Sequence, residues 1–327
     1  MKIFRSSASI RDVAFFAVYG CIRGISFLVP GWRKALHRRI LSFRRRVYGQ
    51  GIGDMRVISI EHQVRLSVDI SERTGGDMFF GIGFEPLEME LLSSLVAEND
   101  VVADVGANIG VHTTIMASRT GGGGHVHAFE PGVRPYAMLC ANIALNGFSN
   151  VIANRLAIGD ACGKASFHVN AESSLSSLGI TGRGDVVGEE EVDITTMDEY
   201  CRGRQISALD FLKIDVEGFE GHVLRGARRI LAQSKDCGVL CELAKKNFGP
   251  LGYSIANVLS DVRQLGFEVW ELDEPQHTVR QLTAGSSTTK AQNFLFLRPR
   301  GLKEQRLRGM LDGERRLHVA GGASGRH

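Results

Sequence analysis

Residues 101–110 read Val-Val-Ala-Asp-Val-Gly-Ala-Asn-Ile-Gly. Val101–Val105 is a short, almost wholly apolar run, the composition of a strand buried in a parallel sheet. Asp104 falls at or near its end. Gly106 and Gly110 flank a small polar loop, and a helix-compatible segment opens at Val111. Strand, glycine turn and helix together make a nucleotide-binding unit, because glycine lets the backbone approach a ligand closely.

Downstream the same pattern repeats. His125–Glu130 reads as a second strand, Val133–Leu145 as a helix stopped by Asn146-Gly147, and Val151–Ile158 as a third strand. Phe167–Val169 and Glu191–Ile194 read as short strands around a Ser/Gly-rich loop, Ser173–Gly188. Thr196 with Glu199 forms a capping box. Leu209–Asp215, Val239–Leu243, Phe267–Leu272 and Asn293–Arg298 read as strands, with helices at Phe219–Leu231 and Ser254–Leu265. Alternating strands and helices predict an α/β fold with a mostly parallel sheet covered on both faces. Upstream, Arg56–Glu61 and Val64–Ile70 alternate like half-buried strands, and Glu85–Val96 is an amphipathic helix with Pro86 in its first turn.

The chain has 327 residues with 43% hydrophobic and 23% charged content, enough to bury a sizeable core. Its net charge of +3 selects no partner, but the distribution is uneven. Residues 32–47, WRKALHRRILSFRRRV, hold seven Arg/Lys and no acid. Just before them, Val13–Val29 is apolar but carries Arg23, costly in hydrocarbon. Two readings stand for residues 13–47: a helix on an anionic membrane surface, or a basic helix that is packed or simply solvated. From Pro299 the tail is charged and Gly-rich without an apolar face, which predicts disorder. The expected organisation is therefore a basic helical appendage (1–50), a strand and helix extension (51–98), a cofactor-binding domain (99–298) and a disordered basic tail (299–327). The six cysteines lack any Cys-x-x-Cys pair and read as reduced thiols of a cytoplasmic protein, peripheral on a membrane's inner face if 13–47 binds lipid.

In an open α/β sheet the ligand lies beyond the carboxyl ends of the strands. Asp104, Glu130 and Asp215, with Glu217 just after, fall at such ends. Glu130 follows the glycine turn by about the ~20 residues at which a carboxylate meets a ribose diol. A dinucleotide would want G-x-G-x-x-G, whereas this loop has only G-x-x-x-G behind an acid. An acid suits a cation rather than a pyrophosphate. S-adenosylmethionine carries an ammonium, a sulfonium and a ribose, and no phosphate. No Asn/Asp-Pro-Pro-aromatic block marks a methylase of base amines, and no Tyr-x-x-x-Lys pair marks a short-chain dehydrogenase. No nucleic-acid partner is expected.

Five blocks resemble the FkbM-type family of S-adenosylmethionine-dependent, Rossmann-like class I methyltransferases: VADVGANIGVHT (102–113), HAFEP (127–131), ANIALNG (141–147), NVIANRLAIGD (150–160) and LDFLKIDVEGFEGHVLRGARRIL (209–231). The resemblance implies a seven-stranded sheet with helices on both faces and an antiparallel last strand. It also implies O-methylation of a hydroxyl on a sugar, glycan or secondary metabolite. It assigns Asp104, Gly106, Asn108, Gly110 and Glu130 to the cofactor, with Ala107, Pro131 and Asp215 beside them. Ala157, Ile158, Gly159 and Asp160, after the third strand, are the adenine candidates. His112 stands where family members often have an aromatic residue.

An alcohol acceptor must lose its proton, so a base within reach helps. Asp215, Glu217 and His112 are the candidates. Lys213 is expected to face away and only support the strand. Asp215, Glu217 and Glu242 form a conceivable oxygen set for a cation, but the site is read as metal-free. His125 and His127 are read as surface or packed histidines. The serines at 173, 174, 176 and 177 are weak candidates for acceptor contacts. A lipid-binding module on a non-catalytic scaffold is the alternative function.

Overall fold

A computed structural model describes residues 55–70, 72–79, 84–170, 172–179, 185–243, 254–283 and 293–312. The appendage 1–50, with both readings of residues 13–47, lies outside the described residues, as does 313–327. Among the described residues, no helix is long and apolar enough to cross a membrane.

The chain divides into two compact units, one of Met1–Ile58 with Ser67–Phe84, the other of Ser59–Leu66 with Glu85 onward. Strands β1 (Met55–Ser59) and β2 (Arg65–Asp69) form a two-stranded sheet. In the smaller unit, helix α1 (Arg73–Phe79) brings Gly75 so close to Asp69 that an added Cβ would stand 2.2 Å from the carbonyl oxygen. One boundary between the units falls before Glu85. The reason is α2 (Pro86–Leu95), whose Leu87, Leu91, Leu92 and Leu95 are fully buried with Val102 and Ile115 in the core of the larger unit.

That larger unit is built on one eight-stranded sheet. Its order is β12 (Thr278–Leu282), β11 (Glu268–Asp273), β13 (Asn293–Leu297), β10 (Gly238–Glu242), β9 (Phe211–Ile214), β3 (Val101–Val105), β4 (His125–Phe129) and β5 (Val151–Asn154). From β10 to β5 the pairings are parallel, and β13 runs antiparallel between β10 and β11. This is the mostly parallel sheet with an antiparallel last strand, plus one further edge strand. β12 closes a hairpin with β11 and buries Val279 and Leu282.

The strands alternate sides as the two-residue period requires. Ala103, Val105, Leu212, Ile214, Val239, Cys241, Phe294 and Phe296 face one core. That core is completed by α6 (Glu220–Gly226), α7 (Arg228–Gln233) and α8 (Ile255–Gln264). Val102, Phe211, Leu240 and Leu295 face the other, under α2 and α3 (Val111–Thr120). Helix α4 (Val133–Asn146) lays Leu139 on Ala128.

Four expectations change. The stretch 151–158 is not one strand: β5 stops at Asn154, and β6 (Ala157–Gly159) joins β7 (Gly163–Asn170) and β8 (Val186–Thr196) in a separate three-stranded sheet. The helix at 219–231 breaks at Ala227 into α6 and α7. At the N-terminus of α5 (Met197–Gly203), Thr196 caps the Glu199 amide at 3.0 Å, but the Glu199 carboxylate turns to Arg202 instead of closing the box.

The tail is the fourth change. Residues Leu302–Asp312 form a helix, α9, which buries Leu307, Lys303 and Glu304. The Lys303 ammonium donates to the Leu95 carbonyl at 3.2 Å and to Asp100 at 2.8 Å. Its aliphatic stem covers apolar surface while its charge finds acceptors, so hydropathy conceals the contact. Leu307→Ala should therefore cost about 2–5 kcal/mol, read as a lower urea midpoint. An unchanged midpoint would mean that α9 does not dock.

Candidate active site

Five parallel strands, β10, β9, β3, β4 and β5, deliver their carboxyl ends to one edge of the sheet. Beyond β3 the chain turns through Gly106 and Gly110, both in the left-handed region (φ 84° and 89°). A side chain at Gly106 would put its Cβ 1.8 Å from the Asp215 carbonyl oxygen. The turn is fixed by the end of β4: the Gly106 and Ala107 amides donate to the Phe129 carbonyl at 3.0 and 2.9 Å. On its other side the Asn142 side-chain Nδ2 donates to the Ile109 carbonyl at 2.8 Å.

Glu130 completes the cradle. Its carboxylate accepts from the Asn108 amide at 2.8 Å and the Gly132 amide at 2.9 Å. Burial pushes its pKa up to about 7 against those two hydrogen bonds. Pro131 follows directly and stays partly exposed. Two enclosed acceptor atoms of this turn, Asp104 Oδ1 and Asn108 Oδ1, have no hydrogen-bond donor. The other Asp104 oxygen accepts from Thr113 at 2.5 Å.

Lys213 lies in the site and not behind it. Residues two apart on a strand share a face, so Lys213 faces with Asp215. The register of β3 with β9 sets Asp104 beside it. The Lys213 ammonium is buried, 3.1 Å from Asp215 Oδ2 and 3.9 Å from Asp104 Oδ1. Burial works against that charge, but Asp215, Asp104, Glu85 and Glu88 outweigh it and raise its pKa. Asp215 keeps 26% of its side chain exposed. Burial would raise its carboxyl, yet Lys213 and a hydrogen bond with Glu242 hold it below the ordinary value. Glu242 is pushed well up by burial and by Asp215, so the proton of that pair sits on Glu242.

Glu217 stands in the left-handed region (φ 53°), and its charge acts on Glu85 and Glu242. The turn 215–218 is pinned from below by Glu220, which accepts from the Gly218 and Val216 amides at 2.9 and 3.2 Å. His112 is buried, with Nε2 3.4 Å from Glu85 and 3.9 Å from Glu88. Burial, then Lys213, lowers its pKa to about 3, so the ring is neutral. Ala157 and Ile158 are buried in β6. Asp160 is ion-paired to Arg225 at 2.8 Å, with His222 Nδ1 3.0 Å away, both on α6. His127 is a packed histidine, hydrogen-bonded to Tyr200 at 2.9 Å.

Sequence reasoning missed Lys213, Glu220, Glu85 and Glu88. Period two was a sufficient signal for Lys213. For the Glu85–Glu88 pair there was none, because its partner His112 is distant in sequence.

The strand order and the glycine turn define a class I methyltransferase fold. The model for the Methyltransferase FkbM domain matches residues 104–269, about half of the chain. The chain belongs to this family of S-adenosylmethionine-dependent methyltransferases. The 31-O-demethyl-FK506 methyltransferase FkbM of Streptomyces tacrolimicus is 34% identical over 155 residues, covering 39% of this chain and 59% of that protein. The hexuronic acid methyltransferase AglP of Haloferax volcanii is 30% identical over 145 residues, covering 44% and 56%. The chain thus spans less than two thirds of the length of either relative. Among solved structures, P. horikoshii TYW2 in complex with MeSAdo aligns with a TM-score of 0.41 at 14% identity, over 82% of this chain and 84% of that one.

The residues present fit S-adenosylmethionine. Acceptors without donors at Asp104 and Asn108 suit a ligand that brings its own cation, and a second carboxylate at Glu130 suits a diol.

The pKa of Glu130 has a measurable consequence. A carboxyl whose folded pKa is raised holds its proton longer in the folded state, so stability is lost as pH rises towards that value. His112 and His127, both lowered, oppose this only while the unfolded histidines still titrate, below about pH 6.5. Between pH 6.5 and 8 the ligand-free protein should therefore lose thermal stability, and Glu85 and Glu220, each raised to about 8, with Glu88 and Glu242, raised well above the ordinary value, add to the slope. Glu130→Gln should make the slope shallower without abolishing it. An identical slope in the variant would show that Glu130 is already ionised across this range.

Proposed function

We propose that the protein is an S-adenosylmethionine-dependent O-methyltransferase acting on a hydroxyl of a sugar, glycan or secondary metabolite. One observation carries the reading: the glycine turn that would hold the cofactor lies directly against the peptide of Asp215, an ionised carboxylate at the site mouth. Electrophile and base would thus be held by adjoining segments.

When bound, the cofactor supplies a methyl group on a sulfonium for in-line displacement by an oxygen nucleophile. Asn108 and Asp104 would accept from its amino group, and Glu130 from its ribose hydroxyls. Asp215 would accept the hydrogen bond of the acceptor hydroxyl and take its proton as the new bond forms. A carboxylate of lowered pKa is a modest base, so its main contribution is orientation. Lys213 keeps Asp215 ionised, and the protonated Glu242 directs its own hydrogen towards it. Glu217 stands close enough to act on the same charges. His112, neutral and turned to Glu85 and Glu88, is the weakest candidate base.

The names of the two relatives support the acceptor class: one is named for a 31-O-demethyl compound, the other for a hexuronic acid.

The reading is tested with methyl-labelled cofactor against pools of glycans, uronic acids and small hydroxylated metabolites. Label should pass to an oxygen of one class. Asp215→Asn should lower kcat by about 10²-fold or more while leaving cofactor affinity within a few-fold. A variant with full kcat would remove Asp215 from the chemistry, and no transfer to any pool would contradict the activity.

A further inference from the structure

We propose that Glu85, Glu88 and His112 form a binding site for one divalent transition-metal ion of the manganese or zinc type. One ligand atom from each residue lies within 4.8 Å of the other two. His112 Nε2 is 3.4 Å from Glu85 Oε2 and 3.9 Å from Glu88 Oε2. Nitrogen and oxygen ligands bind such ions at ~2.0–2.2 Å, which sets the edge of a tetrahedron at roughly 3.4 Å. The three donors therefore surround an ion with little movement.

The acids are not occupied in the usual way for a helix start. Glu85 precedes the first turn of α2 and makes no side-chain cap hydrogen bond. The first-turn amides of Leu87 and Glu88 are taken instead by Glu274, at 3.2 and 2.9 Å. Asn293 donates to Glu88 Oε1, which leaves Oε2 as the oxygen on the imidazole side. Glu85 Oε2 is fully enclosed and has no hydrogen-bond donor, although it is the atom aimed at His112. Glu88 and the imidazole each keep only 6% of their side chains exposed. Glu85 keeps 29% of its side chain exposed although its Oε2 is enclosed, and a group of one nitrogen and two carboxylate donors turned to one another answers to a cation.

The donor set also selects the ion. Calcium takes six to eight oxygens, and soft ions prefer sulfur. One imidazole with two carboxylates suits manganese or zinc. Three protein ligands leave a coordination position open, the mark of sites that engage a further oxygen. Asp215 and Lys213 act electrostatically on Glu85, so the ion would stand beside the proposed acceptor. That last role rests on the methyl-transfer reading, whereas ion binding does not. The oxygen set considered from sequence, Asp215 with Glu217 and Glu242, is a different one, and His112 comes from the cofactor-side helix α3.

The test uses the full chain stripped with a chelator, without cofactor or acceptor. Manganese is titrated by the loss of its free-ion electron paramagnetic resonance signal, and zinc by competition with a chromophoric chelator. One ion per chain should bind. Glu88→Gln and His112→Phe should each weaken binding tenfold or more, with circular dichroism and the chelated melting midpoint confirming a fold. If one variant fails to fold, Glu85→Gln replaces it. No ion bound by the stripped wild type, or unchanged affinity in folded variants, overturns the proposal. Ion binding without methyl transfer would leave it standing, and so would the methyl-transfer reading survive a protein that binds no ion.

Discussion

A buried ammonium organises this site. Lys213 is 3% exposed, and its charge is tolerable only because Asp215 and Asp104 flank it. The pairing is a consequence of sheet geometry. Asp104 and Lys213 are register partners on neighbouring parallel strands, and Asp215 follows on the same face. Removing the lysine would leave two carboxylates facing each other in an enclosed space. Keeping it holds Asp215 ionised and fixes the ends of β3 and β9 together, where the Asp215 amide donates to the Val105 carbonyl at 3.0 Å.

Two turns are built on that base. The first, at 106–110, needs glycine because its backbone touches that of the second. The second, at 215–218, is held by Glu220 from within the following helix. Glu130 ties the first turn to the end of β4, so three strand ends share one rigid edge. An edge of this kind supplies backbone amides, unsatisfied acceptors and one ionised acid in a small space. That combination suits a cationic, phosphate-free cofactor next to a hydroxyl to be deprotonated.

Much of this was legible in sequence because it depends on local chemistry. The glycine turn, the acids at strand ends and the alternation of strands and helices are all short-range signals. Lys213 is legible too, because residues 213 and 215, two apart on a strand, share a face. Other features were hidden for physical reasons. Helix α9 docks partly through Lys303 and Glu304, whose charges mask a buried face. The β12 strand has only Val279 and Leu282 to bury and reads as loop. The convergence of Glu85 and Glu88 on His112 depends on how two helices pack, which no local pattern encodes. Asp160, the adenine candidate after the third strand, sits against Arg225 on α6, a contact that no local pattern encodes.

The central claim is that the glycine turn, Asp104 near the end of β3 and Glu130 after β4 together hold S-adenosylmethionine. Calorimetric titration of the full chain with the demethylated product, S-adenosylhomocysteine, tests it most directly. The account predicts saturable binding of one molecule per chain. Absence of saturable binding by a folded protein would contradict it.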